Sequence, residues 1–314
     1  MTLPSPPQQK APSNPLSVAA ALLLGMRPRQ LPKNALLFAG LLFTLDKHPS
    51  LADALKVFYA FLLFCVLSGC VYLLNDAIDA PADRLHPKKR NRPIASGRLP
   101  VNVALAFVAV AVPAALTLAW LNFSADFFWS AVAYFALTVA YTFGLKHLVI
   151  VDVMAVAAGF VLRAVAGTTV ITVPSSQWLL ICTGLLALFI AIAKRRSEYT
   201  QAQEIALSNG GTVGETRKIL AFYALPLLDQ MLTIVATSCL IAYFLYAFQS
   251  ETGQNHPYLL ATTPFVLYGL FRYLYLLHVE NKGDAPEEIL LKDRPMLVNV
   301  LLWVAAVVVA VVWG

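Results

Sequence analysis

Residues 57–83 read VFYAFLLFCVLSGCVYLLNDAIDAPAD, and this stretch decides how the chain folds. It begins as a nearly uninterrupted apolar run, close to the roughly 20 residues with which an α-helix crosses a bilayer. The run ends in the pattern N-D-x-x-D-x-x-x-D, which places Asp76, Asp79 and Asp83 at positions i, i+3 and i+7. Residues at this spacing share one face of a helix. The stretch therefore predicts a membrane-spanning helix that ends in a cluster of acids.

The composition extends this interpretation to the whole chain. Of its 314 residues 59% are apolar and 13% are charged, and the mean hydropathy is +0.69, which excludes a soluble domain of this length. We predict an all-α integral membrane protein with a disordered tail at residues 1–15 and one polytopic domain at residues 16–314. Apolar runs of near-spanning length predict nine transmembrane helices, near residues 33–46, 51–77, 101–121, 125–144, 149–171, 175–196, 219–248, 257–279 and 295–313.

The distribution of cations sets the expected orientation of these spans. With the N-terminus in the cytoplasm, 19 of the 23 Lys and Arg residues fall on the cytoplasmic side, as the positive-inside rule requires. We therefore predict a cytoplasmic N-terminus and an external C-terminus. The net charge of +6 then follows from topology, without a nucleic-acid partner. The four Cys residues lie inside apolar runs without metal-ligand spacing, which argues against disulfides and against a Cys-ligated metal.

The acid trio, Asp76, Asp79 and Asp83, indicates a metal site. Three carboxylates at the rim of a membrane repel one another unless a cation lies between them. Proteins hold Mg²⁺ with one or two carboxylates and with the phosphate oxygens of a substrate. The trio therefore predicts a Mg²⁺-bound diphosphate, which Asn75 helps to position. The alternative is an ordinary solvated helix end.

A basic stretch, RLHPKKRNRPIASG, follows the trio at residues 84–97. Pro87 and Pro93 cannot continue a helix, so the chain should loop back over the membrane surface. Lys88 and Arg92 lie close to the acids in sequence and are candidate phosphate ligands. The alternative for this stretch is a topological anchor that obeys the positive-inside rule.

The inner ends of two later spans carry further candidates for the site. Tyr141 and Lys146 bracket the end of the fourth span, where Lys146 either lines the site or snorkels to the headgroups. Lys194 and Arg195 end the sixth span, as anion ligands or as an interfacial anchor. Lys194 and Glu198 are also spaced i, i+4, and a local ion pair would explain both.

Arg163 is predicted near the middle of the fifth span, where an unpaired cation costs several kcal/mol. It therefore needs a partner. The candidates are a substrate phosphate, Asp152 about three turns earlier in the same helix, and Asp229 in the seventh span.

Four motifs together resemble the UbiA superfamily of intramembrane prenyltransferases. They are N-D-x-x-D-x-x-x-D followed by R-P-I-A-S-G, R-P-R-Q at residues 27–30 with Lys33 and Asn34, and GFVLRAVAG at residues 159–167. The resemblance implies a bundle of nine helices around a central cavity, open sideways to lipid and capped on the cytoplasmic side. It also implies Mg²⁺-dependent transfer chemistry at the inner membrane.

The chain departs from this superfamily at the end of the sixth span. Ordinary members carry a second Asp-rich motif there, whereas this chain has KRRSEY at residues 194–199. Cations at this place imply a second anionic group that is salt-bridged rather than bound through metal. These cations, together with H-P-x-K-R-x-R-P at residues 86–93, resemble the sequences of the enzymes in the branch that makes decaprenyl-phosphoryl-5-phosphoribose.

That branch joins phosphoribosyl pyrophosphate to a polyprenyl monophosphate at the cytoplasmic face of the cell membrane. The resemblance assigns Mg²⁺ to the acid trio, and phosphate binding to Lys33, Lys88, Arg92, Lys194 and Arg195, without saying which cation takes which phosphate. The alternatives are prenyl transfer from a polyprenyl diphosphate to an aromatic or quinone-precursor acceptor, and a non-catalytic transporter of a phosphorylated lipid or metabolite. The oligomeric state stays open, a homo-oligomer included.

Overall fold

The computed structural model describes residues 15–42, 49–85, 89–172, 177–209, 212–280, 289 and 292–313. Within these ranges the chain forms helices and turns, and no β-strand occurs. The all-α prediction is therefore confirmed for the described residues. The predicted disordered tail lies outside them, apart from residue 15, at which the first helix begins.

The α-helices, numbered along the chain, are α1 (Pro15–Gly25), α2 (Ala39–Leu42), α3 (Leu51–Leu85), α4 (Val101–Asn122), α5 (Ala125–Phe143), α6 (Val151–Val170), α7 (Gln177–Asn209), α8 (Val213–Thr216), α9 (Leu225–Gln249), α10 (Glu251–Asn255), α11 (Thr263–His278) and α12 (Arg294–Trp313). Shorter 3₁₀ helices connect them, at Pro28–Phe38, Lys89–Asn91, Leu145–His147, Lys218–Phe222 and Pro257–Thr262.

Seven helical stretches of the described chain are long and apolar enough to cross a membrane: α3, α4, α6, α7, α9, α12 and α11 with the 3₁₀ turn that precedes it. The protein is therefore an integral, multi-pass membrane protein. The sequence predicts nine spans. The predicted fourth span is present as helix α5, but its Ser, Thr and Tyr residues and Asp126 make it less apolar than the seven.

The first predicted span, residues 33–46, does not form a continuous α-helix where it is described. Residues 28–38 form a 3₁₀ helix, which we call the N-terminal segment, and only the four residues of α2 follow before residues 43–48, which lie outside the described chain. Pro28 begins this segment and Pro32 lies inside it. Proline removes a backbone donor and clashes with the preceding turn of an α-helix, which explains the tighter helix here.

The ends of several helices lie together at one end of the bundle, which we call the polar end. Lys146, just after α5, pairs with Asp79 near the end of α3. Arg195 of α7 pairs with Asp152 at the start of α6. Arg217 links the two pairs, because it contacts both Tyr141 of α5 and Glu198 of α7. The C-terminal ends of α3 and α5, the later part of α7 and the start of α6 therefore lie together at the candidate site.

Helix α6 lies between the two large clusters of buried apolar side chains. One cluster combines α3, α4 and α5 and includes Phe64, Phe127 and Tyr134. The other combines α7, α9 and α11 and includes Phe189. Ala166 of α6 belongs to the first cluster and its Val153 to the second, so α6 fixes the position of one half against the other.

The N-terminal segment packs on α6 through its backbone. A Cβ atom on Gly167 would lie 2.2 Å from the carbonyl oxygen of Leu37. Only a residue without a side chain allows the two backbones to approach this closely. This contact therefore fixes the position of the segment along α6.

We expect Gly167→Ala to lower the melting temperature of the purified protein by about 5 °C. The added methyl group meets backbone atoms that cannot rotate away, and overpacking of this kind costs about 1–3 kcal/mol. A thermal unfolding scan in detergent measures the change. Gly144→Ala is the matched control, because its Cβ would have no neighbour nearer than 3.9 Å. Equal losses in the two variants would contradict the close approach.

Candidate active site at the polar end

The three acids of the trio do not share one partner. Asp76 and Asp83 are 2% and 3% exposed, and both accept from Nη1 of Arg92, at 3.2 Å from Asp76 Oδ1 and 2.7 Å from Asp83 Oδ2. Asp79 instead meets Lys146, whose Nζ lies 3.1 Å from Asp79 Oδ1. Positions i and i+7 are about 20° apart around a helix and position i+3 is about 60° away. This offset explains why Asp76 and Asp83 share a partner and Asp79 does not.

Asn75 connects the trio to Lys146. Its Nδ2 donates to Asp79 Oδ2 at 3.0 Å, and its Oδ1 accepts from Lys146 Nζ at 3.4 Å. Lys146 therefore contacts both Asp79 and Asn75 in this structure, and its role in the site stays a prediction. Tyr141 lies five residues earlier in the chain, near the end of α5.

Arg27 joins the acids from the N-terminal side. Its Nη2 lies 2.5 Å from Asp76 Oδ1, and its guanidinium lies over the ring of Tyr72 at 4.9 Å. The backbone of Arg27 is in the left-handed region, with φ 56° and ψ 69°, which is uncommon for a residue with a side chain. This bend turns the chain from α1 into the N-terminal segment. Arg27 belongs to the R-P-R-Q motif, but the motif alone does not indicate its contact with Asp76.

The donor set of the trio fits Mg²⁺ chemically, because three carboxylates and the amide oxygen of Asn75 are the hard oxygen ligands that this ion prefers. In the described part of the chain, however, no three His, Cys, Asp or Glu side chains are grouped closely enough to hold a metal ion. Each carboxylate of the trio is engaged by Arg27, Arg92 or Lys146. A bound metal would therefore compete with these cations for the same oxygens.

The basic stretch after α3 turns back toward the acids. Lys88 lies outside the described residues, while Lys89–Asn91 form a 3₁₀ turn. Arg84 Nε donates to the carbonyl oxygen of Ala95 at 3.3 Å, which ties the loop to the end of α3. Arg92 thereby reaches the acid pair, so in this structure it bridges two carboxylates. Lys33, on the N-terminal segment, is half-buried.

A second polar group lies at the ends of α6 and α7. Asp152 is 0% exposed and forms an ion pair with Arg195, whose Nη2 lies 2.7 Å from Asp152 Oδ2. Tyr223, which precedes α9, donates its hydroxyl to Asp152 Oδ1 at 2.7 Å and accepts from the backbone N–H of Ile150 at 2.8 Å. Burial raises the pKa of Tyr223 to about 12, so its hydroxyl stays protonated and can donate.

Glu198 completes this second group, but not in the way that its spacing suggests. Its Oε2 accepts from Arg195 and, at 3.0 Å, from Nη1 of Arg217. The expected pair between Lys194 and Glu198 is therefore not formed; Lys194 is half-buried and has no ion pair with the described residues. Arg217 also donates to the hydroxyl of Tyr141 at 3.3 Å. Tyr141 and Lys146, which flank the end of α5, thus connect the second group with the acid trio.

Arg163 is surrounded by neutral acceptors. It donates to Asn34 Oδ1 at 2.8 Å, to the Tyr134 hydroxyl at 2.7 Å and to the carbonyl oxygen of Gly159 at 3.0 Å. It also lies over the Tyr134 and Phe160 rings at 4.5 and 5.2 Å. Rings and carbonyls can stabilise a buried guanidinium without a counter-ion. Arg163 therefore ties the N-terminal segment to α5 and α6.

Neither carboxylate that the sequence offered as a partner for Arg163 reaches it. Asp152 pairs with Arg195, and Asp229 pairs with Arg196 at 2.5 Å and lies 3.3 Å from His278. Those two pairing predictions are wrong, because the sequence does not reveal which helices become neighbours. Arg217 and Tyr223 lie in a connection between helices, and for the same reason no pattern in the sequence indicates their contacts.

The comparisons with known proteins agree with this fold and these motifs. The sequence model of the UbiA prenyltransferase family matches residues 35–299. A decaprenyl-phosphate phosphoribosyltransferase of Mycolicibacterium smegmatis is 33% identical over 309 residues, which cover 95% of this chain and 94% of that protein. The protein of the same name from Corynebacterium glutamicum is 33% identical over 302 residues, which cover 95% and 88%.

Among solved structures, a UbiA homolog from Archaeoglobus fulgidus bound to GPP and Mg²⁺ has a TM-score of 0.69 at 17% identity, and the match covers 93% of this chain and 99% of that one. At this identity the likeness concerns the fold. The family match extends over most of the chain and includes α3, α6 and α7, which carry both polar groups. The resemblance that the motifs predict is confirmed, and this chain belongs to the UbiA prenyltransferase family.

Proposed function

We propose that this protein transfers the 5-phosphoribosyl group from phosphoribosyl pyrophosphate to a polyprenyl phosphate of the decaprenyl phosphate kind, with release of pyrophosphate. The observation that carries this proposal is the pairing of two unlike polar groups at one end of the bundle. One is the acid trio, and the other is the set of guanidiniums around Glu198. The names of the relatives at 33% identity support the same reaction.

In this proposal Asp76, Asp79 and Asp83, with Asn75, hold the Mg²⁺ ion and the diphosphate of the sugar donor. When bound, the metal neutralises the negative charge that develops on the leaving pyrophosphate. Arg27, Arg92 and Lys146 already balance the trio, and they are placed to bind the diphosphate oxygens. Charge-assisted hydrogen bonds from such cations orient a phosphate strongly.

The remaining anionic groups of the substrates need cations of their own. We assign the ribose 5-phosphate and the lipid phosphate to Lys33, Lys88, Arg92, Lys194 and Arg195, with Tyr141, Lys146, Arg163 and Glu198 lining the site. The polyprenyl phosphate is anionic at neutral pH, so its oxygen can attack C1 of the ribose without a general base. Carboxylates near the ring favour the positive charge that develops there.

The topology belongs to the same proposal. Nine membrane-spanning helices around a central cavity would place the N-terminus in the cytoplasm and the C-terminus outside, in one domain that follows residue 15. The polar end would then face the cytoplasm at the inner membrane, where a soluble sugar donor can reach it. The polyprenyl tail would lie between helices, in contact with bilayer lipids. A homo-oligomer is compatible with this arrangement.

An assay with alternative donors tests the reaction. Purified protein with Mg²⁺ is incubated either with phosphoribosyl pyrophosphate and a polyprenyl monophosphate or with a polyprenyl diphosphate and an aromatic acceptor. Mass spectrometry of the lipid fraction should detect phosphoribosylated lipid in the first mixture, together with released pyrophosphate. A prenylated aromatic product alone would favour prenyl transfer, and binding without pyrophosphate release in either mixture would favour a transporter.

A further inference from the structure

The carboxylate of Glu198 is held by two guanidiniums that come from different parts of the chain. Arg195 lies one turn earlier on α7, and Arg217 lies in the connection between α7 and α9. Nη1 of each arginine contacts the same oxygen, Glu198 Oε2. Two guanidiniums that converge on one oxygen make a strong anion site. A salt bridge between neighbouring residues of a helix needs only one of these arginines, Arg195, and Arg217 is a second cation from outside the helix.

Arg195, Arg217 and Tyr141 carry more hydrogen-bond donors than the Glu198 carboxylate uses. Arg195 Nε is buried and has no hydrogen-bond partner among the described residues. Among the described residues, Nη2 of Arg217 donates only to the Tyr141 hydroxyl, at 3.3 Å, and that hydroxyl has a proton of its own to donate. A phosphate group offers three oxygens and a charge of about −1.5 to −2 at neutral pH, which suits such a donor set better than one carboxylate does.

The two acids that contact Arg195 differ in how easily they can leave it. Asp152 is fully buried and also accepts from Tyr223, so its pairing with Arg195 is a fixed part of the fold. The side chain of Glu198 is 26% exposed, and it holds no other partner in the described chain. Glu198 can therefore rotate into water when a stronger anion arrives, whereas Asp152 cannot.

We propose that Arg195, Arg217 and Tyr141 form a subsite for a phosphate monoester, and that the Glu198 carboxylate occupies this subsite until the phosphate displaces it. The ligand is an R–O–PO₃²⁻ group; that it belongs either to the sugar donor or to the polyprenyl acceptor rests on the proposed function. Each guanidinium keeps an anion in both states, because Arg195 retains Asp152 and the phosphate replaces Glu198.

Binding of ribose 5-phosphate, a soluble phosphate monoester, to the full-length protein in detergent tests the subsite directly. Glu198→Gln removes the competing charge but keeps the shape, and we expect it to tighten binding about five- to tenfold. Arg217→Gln should weaken binding about tenfold, and its half-exposed position makes the substitution tolerable for folding. Glu204→Gln is the matched control, because it removes an exposed acid from the same helix, away from both arginines.

Unchanged or weaker binding in Glu198→Gln would overturn the proposal, since the carboxylate would then help the site rather than compete for it. Equal tightening in Glu204→Gln would also overturn it, because the effect would come from net charge alone. Thermal unfolding of each variant confirms that it is folded.

Turnover separates the two sources of the phosphate. A change in KM for phosphoribosyl pyrophosphate in Arg217→Gln assigns the subsite to the sugar phosphate, and a change in KM for polyprenyl phosphate assigns it to the lipid. If the variants shift ribose 5-phosphate binding as expected while the wild-type protein turns over neither substrate, the proposed reaction fails and the subsite stands. If turnover occurs and KM for both substrates is unchanged, the subsite fails and the reaction stands.

Discussion

Replacing Asp76 by asparagine should reduce product formation by about 10²- to 10³-fold, the range seen when one electrostatic contact of a reaction site is lost. Asp76 is the acid of the trio that contacts two guanidiniums, those of Arg27 and Arg92. Asparagine keeps the shape and the acceptor oxygen but loses the negative charge that would hold the Mg²⁺ ion of the proposed reaction. The loss of stability should be only about 1 kcal/mol, since both arginines are partly exposed and Arg92 keeps Asp83.

Mass spectrometry of the lipid product and a thermal unfolding scan of the same preparation measure the two effects. Asp126→Asn is the matched control: it removes an exposed acid at the start of α5, at the far end of that helix from Lys146. Full activity in Asp76→Asn would remove Asp76 from the chemistry, and the role of the trio in holding metal would have to be abandoned.

Arg195→Met should cause the largest loss of stability among the site variants. It leaves the fully buried Asp152 without its cation, and breaking a buried pair in this way costs about 3–5 kcal/mol. We expect the melting temperature in detergent to fall by roughly 10 °C. From the sequence alone we predict only the roles of anion ligand and interfacial anchor for Arg195, because Asp152 lies 43 positions earlier and no spacing reveals the contact.

The double variant Arg195→Met with Asp152→Asn serves as the internal control. It removes both charges of the pair, so most of the lost melting temperature should return, while binding of ribose 5-phosphate stays weak because the guanidinium is absent. If the single variant unfolds at the wild-type temperature, Asp152 does not depend on Arg195. If the double variant is no more stable than the single one, the pair is not the cause of the loss.

The apolar runs predict most of the fold because membrane helices must satisfy their backbone groups internally, which leaves a long run few alternatives. The prediction is weakest at residues 33–46, where Pro28 and Pro32 lead the chain into a 3₁₀ helix before the run begins. Helix α5 forms as predicted between residues 125 and 143 although its polar side chains reduce its hydropathy.

The sequence predicts the site less completely than the fold. Spacing within α3 predicts that the three acids share one helix face, because the geometry of a helix is fixed. Asp76 and Asp83 do share a partner, Arg92, whereas Asp79 contacts Lys146. Contacts between different elements cannot be predicted from spacing in this way. Glu198 contacts Arg217 and Arg195 contacts Asp152, and neither pair has a periodicity that could reveal it. Arg163 shows the same limit, since its partners are a tyrosine, an asparagine and a carbonyl oxygen.

The close backbone approach between Leu37 and Gly167 also bears on how the protein is made. The N-terminal segment leaves the ribosome early, yet Arg163, which donates a hydrogen bond to the side-chain oxygen of Asn34, lies 129 residues further along the chain. During insertion the segment can first dock on α3, where Arg27 meets Asp76 and Asn34 donates to Ser68. Its contacts with Arg163 and Gly167 can form only after α6 has entered the bilayer. The part of the site that is synthesised first therefore completes its packing only after helices α3 to α6 have followed it.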